Sequence, residues 1–346
     1  MIHTRIAING FGRIGRLFFR QIFGIPGVEV VAINDLGDIE NLAYLLKYDS
    51  VYRTYEKKIE VAHPVTNGRG ELLVDGKSVI VFQEKDPARL PWNAMKIDVA
   101  VESTGVFESF EKSRAHLVAG AKRVVISAPA KDEEQADAKT VLLGMNEEQF
   151  KACKVTSNGS CTTSATYPVA AVMHESVGVL KAFLATTHGY TATQNLVDGS
   201  TRGKDFRRGR AGAINIAPSS TGAAISVTRV LKDLEGKFDG IALRVPIPSG
   251  SLADFTFLAK RKTSVEEVND IFRKAAKSAQ WKGILDVTED QLVSSDIIGC
   301  SAASVVDLQY TKVVDGDFVK VLAWYDNEWG YVTTLVKHVM KVAELL

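Results

Sequence analysis

The sequence has little cysteine, no strong charge of either sign and no long apolar run. Its 346 residues include three cysteines, which match neither the even count of a disulfide framework nor the paired spacing of a zinc site. We therefore expect no metal and a reducing compartment, the cytoplasm. The net charge of +1 gives no general reason to expect a nucleic-acid partner. No apolar stretch suits a bilayer, and the strand pattern starts soon after Met1, so neither a membrane partner nor a targeting peptide is predicted.

The length and a change of pattern along the chain predict two domains. The first half alternates Val/Ile-rich runs with amphipathic stretches, which is typical of a mainly parallel sheet covered by helices. After about Ser160 the runs favour antiparallel strands, and Asp315-Gly316 supplies a hairpin turn. We predict an α/β dinucleotide-binding (Rossmann) domain over residues 1–160 and an α+β catalytic domain with a mostly antiparallel sheet over residues 161–327.

The chain ends in a stretch with helical spacing, Tyr331–Leu346. Its polar residues predict a basic face at Lys337, His338 and Lys341. We expect residues 328–346 to form a helix that docks back on the first domain.

A glycine-rich segment near the start predicts a phosphate-binding loop. Gly10, Gly12 and Gly15 follow an apolar run and precede a helical pattern, which lets backbone N–H groups approach a pyrophosphate. Asp35 ends the next predicted strand about twenty residues later, where this fold places a carboxylate on the ribose hydroxyls. That carboxylate would repel a 2′-phosphate, so NAD is predicted over NADP. The alternative is that the glycines only allow a tight turn and Asp35 only caps one.

Cys161 and His188 are the predicted nucleophile and base. Cys161 opens a predicted helix, Thr162–Glu175, where free N–H groups and the helix dipole would lower the pKa of a thiol from about 8.5. His188 closes the predicted strand Ala182–Thr187, so imidazole and sulfur could meet at that edge. The alternative is that Cys161 is a small buried side chain and His188 a structural residue. Cys153 and Cys300 have no such context.

Two segments of the second half predict anion binding. The long loop Thr191–Pro218 is rich in cations, which either bind an anion or form a solvated charged surface; its basic residues are Arg202, Lys204, Arg207, Arg208 and Arg210. The loop ends at Ser219-Ser-Thr221-Gly222, which enters a helix and is typical of a hydroxyl-and-backbone anion cradle. Arg244, at a strand edge, could hold a phosphate through two hydrogen bonds.

Taken together, these motifs resemble the phosphorylating glyceraldehyde-3-phosphate dehydrogenases over nearly the whole chain. The matching segments begin at Ile8-Asn-Gly-Phe-Gly-Arg-Ile-Gly15, continue through Glu102-Ser-Thr-Gly105 and the cysteine segment, and end at Trp324-Tyr-Asp-Asn-Glu-Trp-Gly-Tyr331. The resemblance implies oxidation of glyceraldehyde 3-phosphate to 1,3-bisphosphoglycerate with NAD and inorganic phosphate, a step of glycolysis and gluconeogenesis. It also implies a homotetramer with the long loop at a subunit interface.

The same resemblance assigns roles to individual residues. It implies that Cys161 attacks the aldehyde and that His188 activates the thiol and accepts the hydroxyl proton. Thr191 and Arg244 would hold the substrate phosphate. The attacking phosphate would be held by Ser160, Thr162, Thr221 and Gly222, with Arg207 nearby. Besides the loop glycines and Asp35, the implied cofactor contacts are Arg13, Ile14, Lys85, Ser127 and, at the nicotinamide amide, Asn327.

Four positions depart from the usual pattern of the family. Gly159 stands where Ala is usual, Ser164 where Asn is usual, Ala165 where a second Cys is common, and Gly189 where Ser is usual. The proposed nucleophile and base are intact, whereas the turnover rate is not predicted by these motifs. The missing second Cys removes one route to an intrachain disulfide on oxidation.

Two other functions compete with this interpretation. A dehydrogenase acting on erythrose 4-phosphate shares most of the motifs, but the intact Thr221-Gly222 run favours the phosphorylating enzyme. A NAD-binding redox sensor would need the glycine loop and Cys161, yet it would not need Thr191, Arg207, Thr221 and Arg244 together. Their joint presence favours an enzyme.

Overall fold

A computed structural model describes residues 4–201 and 204–346, and it divides the chain into two compact units. The first unit comprises the chain up to Gly159 together with Val332–Leu346. The second unit is Ser160–Tyr331. Arg202, one of the predicted loop cations, lies outside the described residues.

The first unit is built on a mainly parallel sheet of nine strands in the order β3-β4-β5-β2-β1-β6-β7-β9-β8. Its strands are β1 (Thr4–Asn9), β2 (Val28–Asn34), β3 (Ile59–Thr66), β4 (Arg69–Val74), β5 (Lys77–Phe82), β6 (Val99–Glu102), β7 (Arg123–Ile126), β8 (Ala138–Thr140) and β9 (Val155–Ser157). Its helices are α1 (Arg13–Ile22), α2 (Ile39–Lys47), α3 (Phe110–Ser113) and α4 (Ala115–Val118). The antiparallel pairs are β3 with β4 and β4 with β5.

The second unit holds a mostly antiparallel sheet of seven strands in the order β11-β12-β10-β13-β16-β15-β14. Its strands are β10 (Val179–Gly189), β11 (Ala217–Ser220), β12 (Phe238–Val245), β13 (Ser251–Ala259), β14 (Leu285–Thr288), β15 (Ser304–Val314) and β16 (Phe318–Tyr325). Its helices are α5 (Cys161–Ser176), α6 (Ala223–Thr228) and α7 (Val265–Lys277), and α8 (Trp329–Ala343) continues from it into the first unit. The two sheets confirm the predicted fold class.

Local chemistry explains where the key elements begin and end. In β1, Ile6, Ala7 and Ile8 are fully buried, as expected for a central parallel strand with both faces covered. Asp38 caps α2, because its side chain accepts hydrogen bonds from the N–H groups of Glu40 and Asn41. The turn between β15 and β16 forms at Asp315 and Gly316, which both have positive φ, as predicted.

Three features of the elements differ from what the sequence pattern indicates. Residues 109–119, whose spacing predicts one helix, form two short helices, α3 and α4, joined at Arg114. The strands β3 and β4 were not predicted: β3 has no buried residue and includes Pro64, and β4 includes Gly70, a residue type that is rare in strands. The strands β10 and β12 pair in parallel, not antiparallel; periodicity within a strand carries no information about the direction of its neighbour.

The C-terminal helix does not present His338 on a basic face. His338 is fully buried, with Nε2 lying 2.7 Å from the hydroxyl of Thr156 and Nδ1 lying 3.2 Å from the side-chain oxygen of Asn158. The ring also packs edge-on against Phe150. Burial lowers the pKa of His338 to about 3.

This buried imidazole predicts a loss of stability in mild acid. The unfolded chain takes up a proton on this histidine below about pH 6.5, whereas the folded chain resists it until about pH 3. Stability from this group is therefore complete above pH 6.5 and is lost progressively as the pH falls towards 3. We expect the free energy of unfolding, measured with urea, to fall by about 2 kcal/mol between pH 7.5 and pH 5 because of this side chain alone.

The dependence of the unfolding free energy on pH identifies the histidine that causes the acid sensitivity. His338→Gln should lower stability at pH 7.5 but flatten the loss between pH 7.5 and pH 5. His63, whose side chain is 76% exposed, provides the control: His63→Gln should leave the slope unchanged. An unchanged slope in His338→Gln would show that this residue does not cause the acid sensitivity.

Candidate active site

In the first unit, the predicted phosphate loop joins β1 to α1 by a close backbone approach. A Cβ on Gly10 would lie 2.6 Å from the Thr104 nitrogen, and one on Gly15 would lie 2.1 Å from the Gly10 oxygen. A Cβ on Gly12 would meet no atom within 4 Å. Gly10 and Gly15 are thus required for the turn itself, while Gly12 leaves open space over the start of the helix, where an anion fits.

A cavity of about 350 Å³ opens at the carboxyl ends of these strands. Among the predicted cofactor residues, Gly10, Gly12, Asp35 and Lys85 line it. Asp35 follows β2, and its carboxylate accepts hydrogen bonds from the N–H groups of Phe11, at 2.6 Å, and Gly37, at 2.8 Å. The carboxylate therefore holds the loop and also lines the cavity. The glycine loop, the open space and the carboxylate fit a dinucleotide.

The other predicted cofactor residues of this unit do not line that cavity. Arg13 and Ile14 begin α1, and the guanidinium of Arg13 pairs with Asp49 at 2.5 Å and lies over the ring of Tyr52. Ser127 follows β7, and its N–H donates to the backbone oxygen of Glu102.

In the second unit, Cys161 is the first residue of the 16-residue helix α5. Ser160 caps this helix, because its hydroxyl accepts a hydrogen bond from the N–H of Thr163 at 3.0 Å. The cap fixes the backbone at the point where the thiol leaves the helix. The sulfur therefore lies beside N–H groups that have no partner within the helix.

The structure brings the predicted pair together. Sγ of Cys161 lies 3.3 Å from Nε2 of His188, at the end of β10. Nδ1 of His188 lies 2.7 Å from the backbone oxygen of Gly189. The tautomer with its proton on Nδ1 donates to that oxygen and leaves Nε2 as the acceptor, which is the form of the ring that can take a proton from the sulfur.

The register of strands β10 and β12 places Arg244 beside Cys161 and His188. In the parallel pairing of β10 with β12, Arg244 lies opposite His188. A terminal nitrogen of its guanidinium lies 2.6 Å from Nδ1 of His188 and 3.2 Å from the oxygen of Gly189. Because a guanidinium only donates, its hydrogen bond goes to the Gly189 oxygen, and not to Nδ1, when the ring leaves Nε2 as the acceptor. Within the described residues, Nε of Arg244 is buried without a hydrogen-bond partner. A buried donor in this condition fits an anion that is bound beside it.

The electrostatics of the pair differ from the expectation of a low thiol pKa. Burial raises the pKa of the Cys161 thiol, while Arg244, the Thr162 hydroxyl and the N–H groups of Thr162 and Cys161 lower it. Burial and the charges of Arg244 and Arg208 lower the pKa of His188 to about 3. The expectation considered only the helix end and could not include the desolvation of sulfur. The resting pair is therefore a thiol beside a neutral imidazole.

The predicted phosphate-binding residues of this unit each have a local hydrogen-bond partner. Thr162 follows Cys161, and its hydroxyl lies 3.0 Å from that of Tyr325. Thr221 and Gly222 precede α6, with the Thr221 hydroxyl accepting from the N–H of Ala223 at 3.2 Å. The Thr191 hydroxyl lies 2.9 Å from that of Thr193.

The loop places Arg208, and not Arg207, in contact with the hydroxyls of Thr193 and Ser219, which neighbour Thr191 and Thr221 in the chain. Arg208 donates to Ser219 at 2.8 Å and to Thr193 at 3.1 Å. The side chain of Arg207 is 60% exposed and pairs with Asp205 at 2.7 Å. Two adjacent arginines could not be told apart from sequence, because the direction of each depends on the path of the loop.

Asn327 follows β16 and is held by two serines that the sequence analysis missed. Its side-chain oxygen accepts from Ser251 at 2.7 Å and lies 3.3 Å from the hydroxyl of Ser249. The Ser251 hydroxyl also accepts from the N–H of Gly189, next to His188, at 3.2 Å. With its oxygen engaged in this way, Asn327 keeps its amide N–H groups for another partner. No sequence signal marks these serines, because the bonds join three separate strand ends.

Cys153 and Cys300 lack the surroundings of Cys161. Burial raises the pKa of both thiols, and Cys153 is 2% exposed. Over the described ranges 4–201 and 204–346, no group of three His, Cys, Asp or Glu side chains is placed to hold a metal ion. Within the same ranges, no helix combines the length and apolar character that a membrane crossing requires.

Comparison with known families gives matches to both halves of the chain. Residues 4–110 match the glyceraldehyde 3-phosphate dehydrogenase NAD binding domain, and residues 160–327 match the C-terminal domain of the same family.

Full-length relatives agree with these matches. A glyceraldehyde-3-phosphate dehydrogenase of Clostridium pasteurianum is 46% identical over 338 residues, which is 96% of this chain and 97% of the relative. A protein of the same name from Borreliella burgdorferi is 45% identical and covers 98% of this chain and 100% of its own length. Another, from Geobacillus stearothermophilus, is 46% identical over 95% of each chain.

Proposed function

Because the chain belongs to the glyceraldehyde-3-phosphate dehydrogenase family and is an NAD-dependent oxidoreductase, we propose that it oxidises D-glyceraldehyde 3-phosphate to 1,3-bisphosphoglycerate through a thioester on Cys161. The observation that carries this proposal is the 3.3 Å distance between Sγ of Cys161 and Nε2 of His188. A thiol with a neutral imidazole at this distance can transfer its proton as the sulfur attacks a carbonyl carbon.

In the first step, Nε2 of His188 takes the thiol proton and Sγ of Cys161 bonds to the aldehyde carbon. The carbonyl oxygen takes a proton in turn and becomes a hydroxyl group. The product is a hemithioacetal, which has an sp3 carbon bearing hydrogen and oxygen. Arg244 holds the substrate phosphate, so that the aldehyde is positioned at the sulfur.

In the second step, His188 accepts the hydroxyl proton while the carbon loses a hydride. NAD, when bound, supplies the hydride acceptor. The carbon becomes a thioester, which retains part of the oxidation energy for acyl transfer. Inorganic phosphate, held beside Thr162, Thr221 and Gly222, then attacks the acyl carbon, and the Cys161 thiolate leaves. A reducing compartment, the cytoplasm, suits this cycle because it needs a free thiol.

For the cofactor, we propose contacts from the residues that fit a dinucleotide in each unit. Gly10, Gly12 and the start of α1 would hold the pyrophosphate, and Asp35 and Lys85 would lie along the adenosine side. Asn327 would donate its free amide N–H groups to the nicotinamide amide. These roles agree with the open space at Gly12 and with the engaged oxygen of Asn327.

The decisive assay follows reduced-cofactor formation from glyceraldehyde 3-phosphate with and without inorganic phosphate. It uses NAD and NADP in parallel, and erythrose 4-phosphate as the alternative aldehyde. We expect rapid, phosphate-dependent reduction of NAD with the triose. Faster turnover with erythrose 4-phosphate would move the substrate to the related dehydrogenase. Absence of turnover with either aldehyde, with NAD bound, would refute the proposed reaction.

Arg244→Leu should raise KM for the triose phosphate. Hydrogen bonds to charged groups contribute about 1.5–3 kcal/mol, so we expect an increase of at least about tenfold. KM for NAD should stay within about twofold, because Arg244 has no role in the proposed cofactor contacts. Arg261, an exposed arginine paired with Glu267, provides the control through Arg261→Leu. An unchanged KM in Arg244→Leu would place the substrate phosphate elsewhere.

We propose a homotetramer, supported by the exposed apolar side chains of the long loop. Leu196, Phe206 and Ile214 are each more than three-quarters exposed, which is unusual for large apolar residues. Burial against another copy would remove this surface from water. Sedimentation velocity should give four times the chain mass, and a monomer at micromolar concentration would contradict the proposal.

A further inference from the structure

A series of buried polar side chains, linked by hydrogen bonds, lies next to the phosphate loop, and the proposed reaction does not use it. Glu102, at the end of β6, is 2% exposed, and His116, on α4, is fully buried. Nε2 of His116 lies 3.1 Å from the Glu102 carboxylate, and Trp92 donates to Nδ1 of the same ring at 3.0 Å. Asn9 donates to the same carboxylate oxygen as His116, at 2.5 Å.

The direction of hydrogen bonding is fixed at the Trp92 end. An indole nitrogen can only donate, so Nδ1 of His116 must be an acceptor. The ring proton then lies on Nε2 and points at Glu102. His116 is thereby a neutral donor to the carboxylate. The proton could lie on Nδ1 instead of Nε2 only if Trp92 moved away.

The direction is fixed at the other end by backbone groups. Asn34 donates to the backbone oxygen of Glu84 at 2.9 Å and accepts from the Glu84 N–H at 2.9 Å, which determines how its amide is oriented. The same Asn34 nitrogen donates to the side-chain oxygen of Asn9 at 2.7 Å. Asn9 must therefore present its NH2 group to Glu102.

The second oxygen of Glu102 is also surrounded by donors. The N–H of Thr104 donates to it at 2.8 Å, and the Thr104 hydroxyl donates to it as well. Every neighbour of both oxygens is therefore a donor, and only a group that accepts at both atoms, a carboxylate, fits. Thr104 is also the residue against which Gly10 packs, and Ser103 donates to the oxygen of Gly10 at 2.7 Å.

From this geometry we infer that Glu102 is the positioning residue that presets the phosphate loop for the dinucleotide. Its carboxylate ties the ends of β1 and β6 to Thr104, so that Gly10 and the following N–H groups are in place before the ligand arrives. A loop that already has its bound conformation loses less conformational entropy when the ligand binds, so its affinity for the ligand is higher. Glu102 itself does not need to contact the cofactor.

Glu102→Gln tests this role, because it keeps the size of the side chain but turns one acceptor into a donor. We expect the Kd for NAD, measured by isothermal titration on the full-length protein, to rise at least about tenfold. KM for NAD should rise in parallel, while kcat at saturating NAD stays within about twofold. A general loss of structure would lower kcat and would not produce this split. Glu111, 76% exposed on α3, provides the control, and Glu111→Gln should bind NAD normally.

Two substitutions at His116 separate hydrogen bonding from burial. His116→Gln can still accept from Trp92 and donate to Glu102, so we expect the Kd for NAD to stay within about twofold of wild type. His116→Leu fills the site without a donor, and it should raise the Kd several-fold. If Glu102→Gln does not fold, the two His116 variants test the inference through the same measurement, the Kd for NAD.

Wild-type affinity in folded Glu102→Gln, or equal affinity in His116→Gln and His116→Leu, would overturn the inference. It rests on NAD as the cofactor and not on the aldehyde chemistry. A wild-type protein that binds NAD but does not oxidise the triose would refute the proposed function and leave this test intact.

Discussion

Replacing Cys161 with serine is expected to lower kcat for triose phosphate oxidation by a factor on the order of 10⁴ or more. A serine hydroxyl beside a neutral imidazole is a far weaker nucleophile than a thiol, since it stays protonated throughout the usable pH range. It also makes a poor leaving group when phosphate attacks the acyl carbon. Initial rates at saturating triose, NAD and phosphate measure the loss.

The control for this prediction uses the other half-buried cysteine. Cys300 has a thiol whose pKa is raised by burial, and no described residue gives it an imidazole partner, so Cys300→Ser should keep nearly all activity. NAD affinity should be the same in wild type, Cys161→Ser and Cys300→Ser, because Cys161 is not among the proposed cofactor contacts. A Cys161→Ser enzyme within tenfold of the wild-type rate would rule out the thioester.

The features that local sequence determines were predictable. Gly10, Gly12 and Gly15 mark the turn between β1 and α1, because close backbone approach leaves room only for hydrogen at Gly10 and Gly15. The cap at Ser160 and the start of α5 at Cys161 follow from residues within a few positions of each other. Such signals depend on neighbours in the chain and not on the fold as a whole.

The features that depend on strand register were not predictable. Arg244 reaches His188 because β10 and β12 pair in parallel with those two residues opposite each other. The choice of Arg208 over Arg207 depends on how the long loop returns to Ser219. Sequence spacing contains neither the pairing partner nor the loop path.

The resting charge of the proposed catalytic pair, Cys161 and His188, also required the structure. A helix start lowers the pKa of a thiol, and burial raises it; the sequence shows the first effect but not the second. The charge of Arg244 lowers the pKa of both groups, which favours the ionised thiolate but the neutral imidazole. Burial, the larger cause, and Arg244 together keep the imidazole neutral, as a proton acceptor must be.

His188→Asn is the second substitution for which we expect a large loss. A positioned general base contributes about 10²–10⁴ in rate, and here one ring nitrogen serves both the thiol and the hydroxyl proton, so kcat should fall within that range. Asparagine cannot accept a full proton from sulfur. NAD affinity should be unchanged, because His188 is not among the proposed cofactor contacts.

The thiol itself reports the role of this imidazole without the cofactor. In wild type, alkylation of Cys161 by iodoacetamide should rise with pH and show no inflection near pH 6.5, because the pKa of His188 is about 3 and the ring is already neutral there. His188→Asn should slow alkylation at neutral pH. Arg244→Leu should raise the pKa of the ring only in part, because burial, the larger cause of its low value, remains. Equal alkylation rates in wild type and His188→Asn would show that the 3.3 Å contact carries no proton transfer.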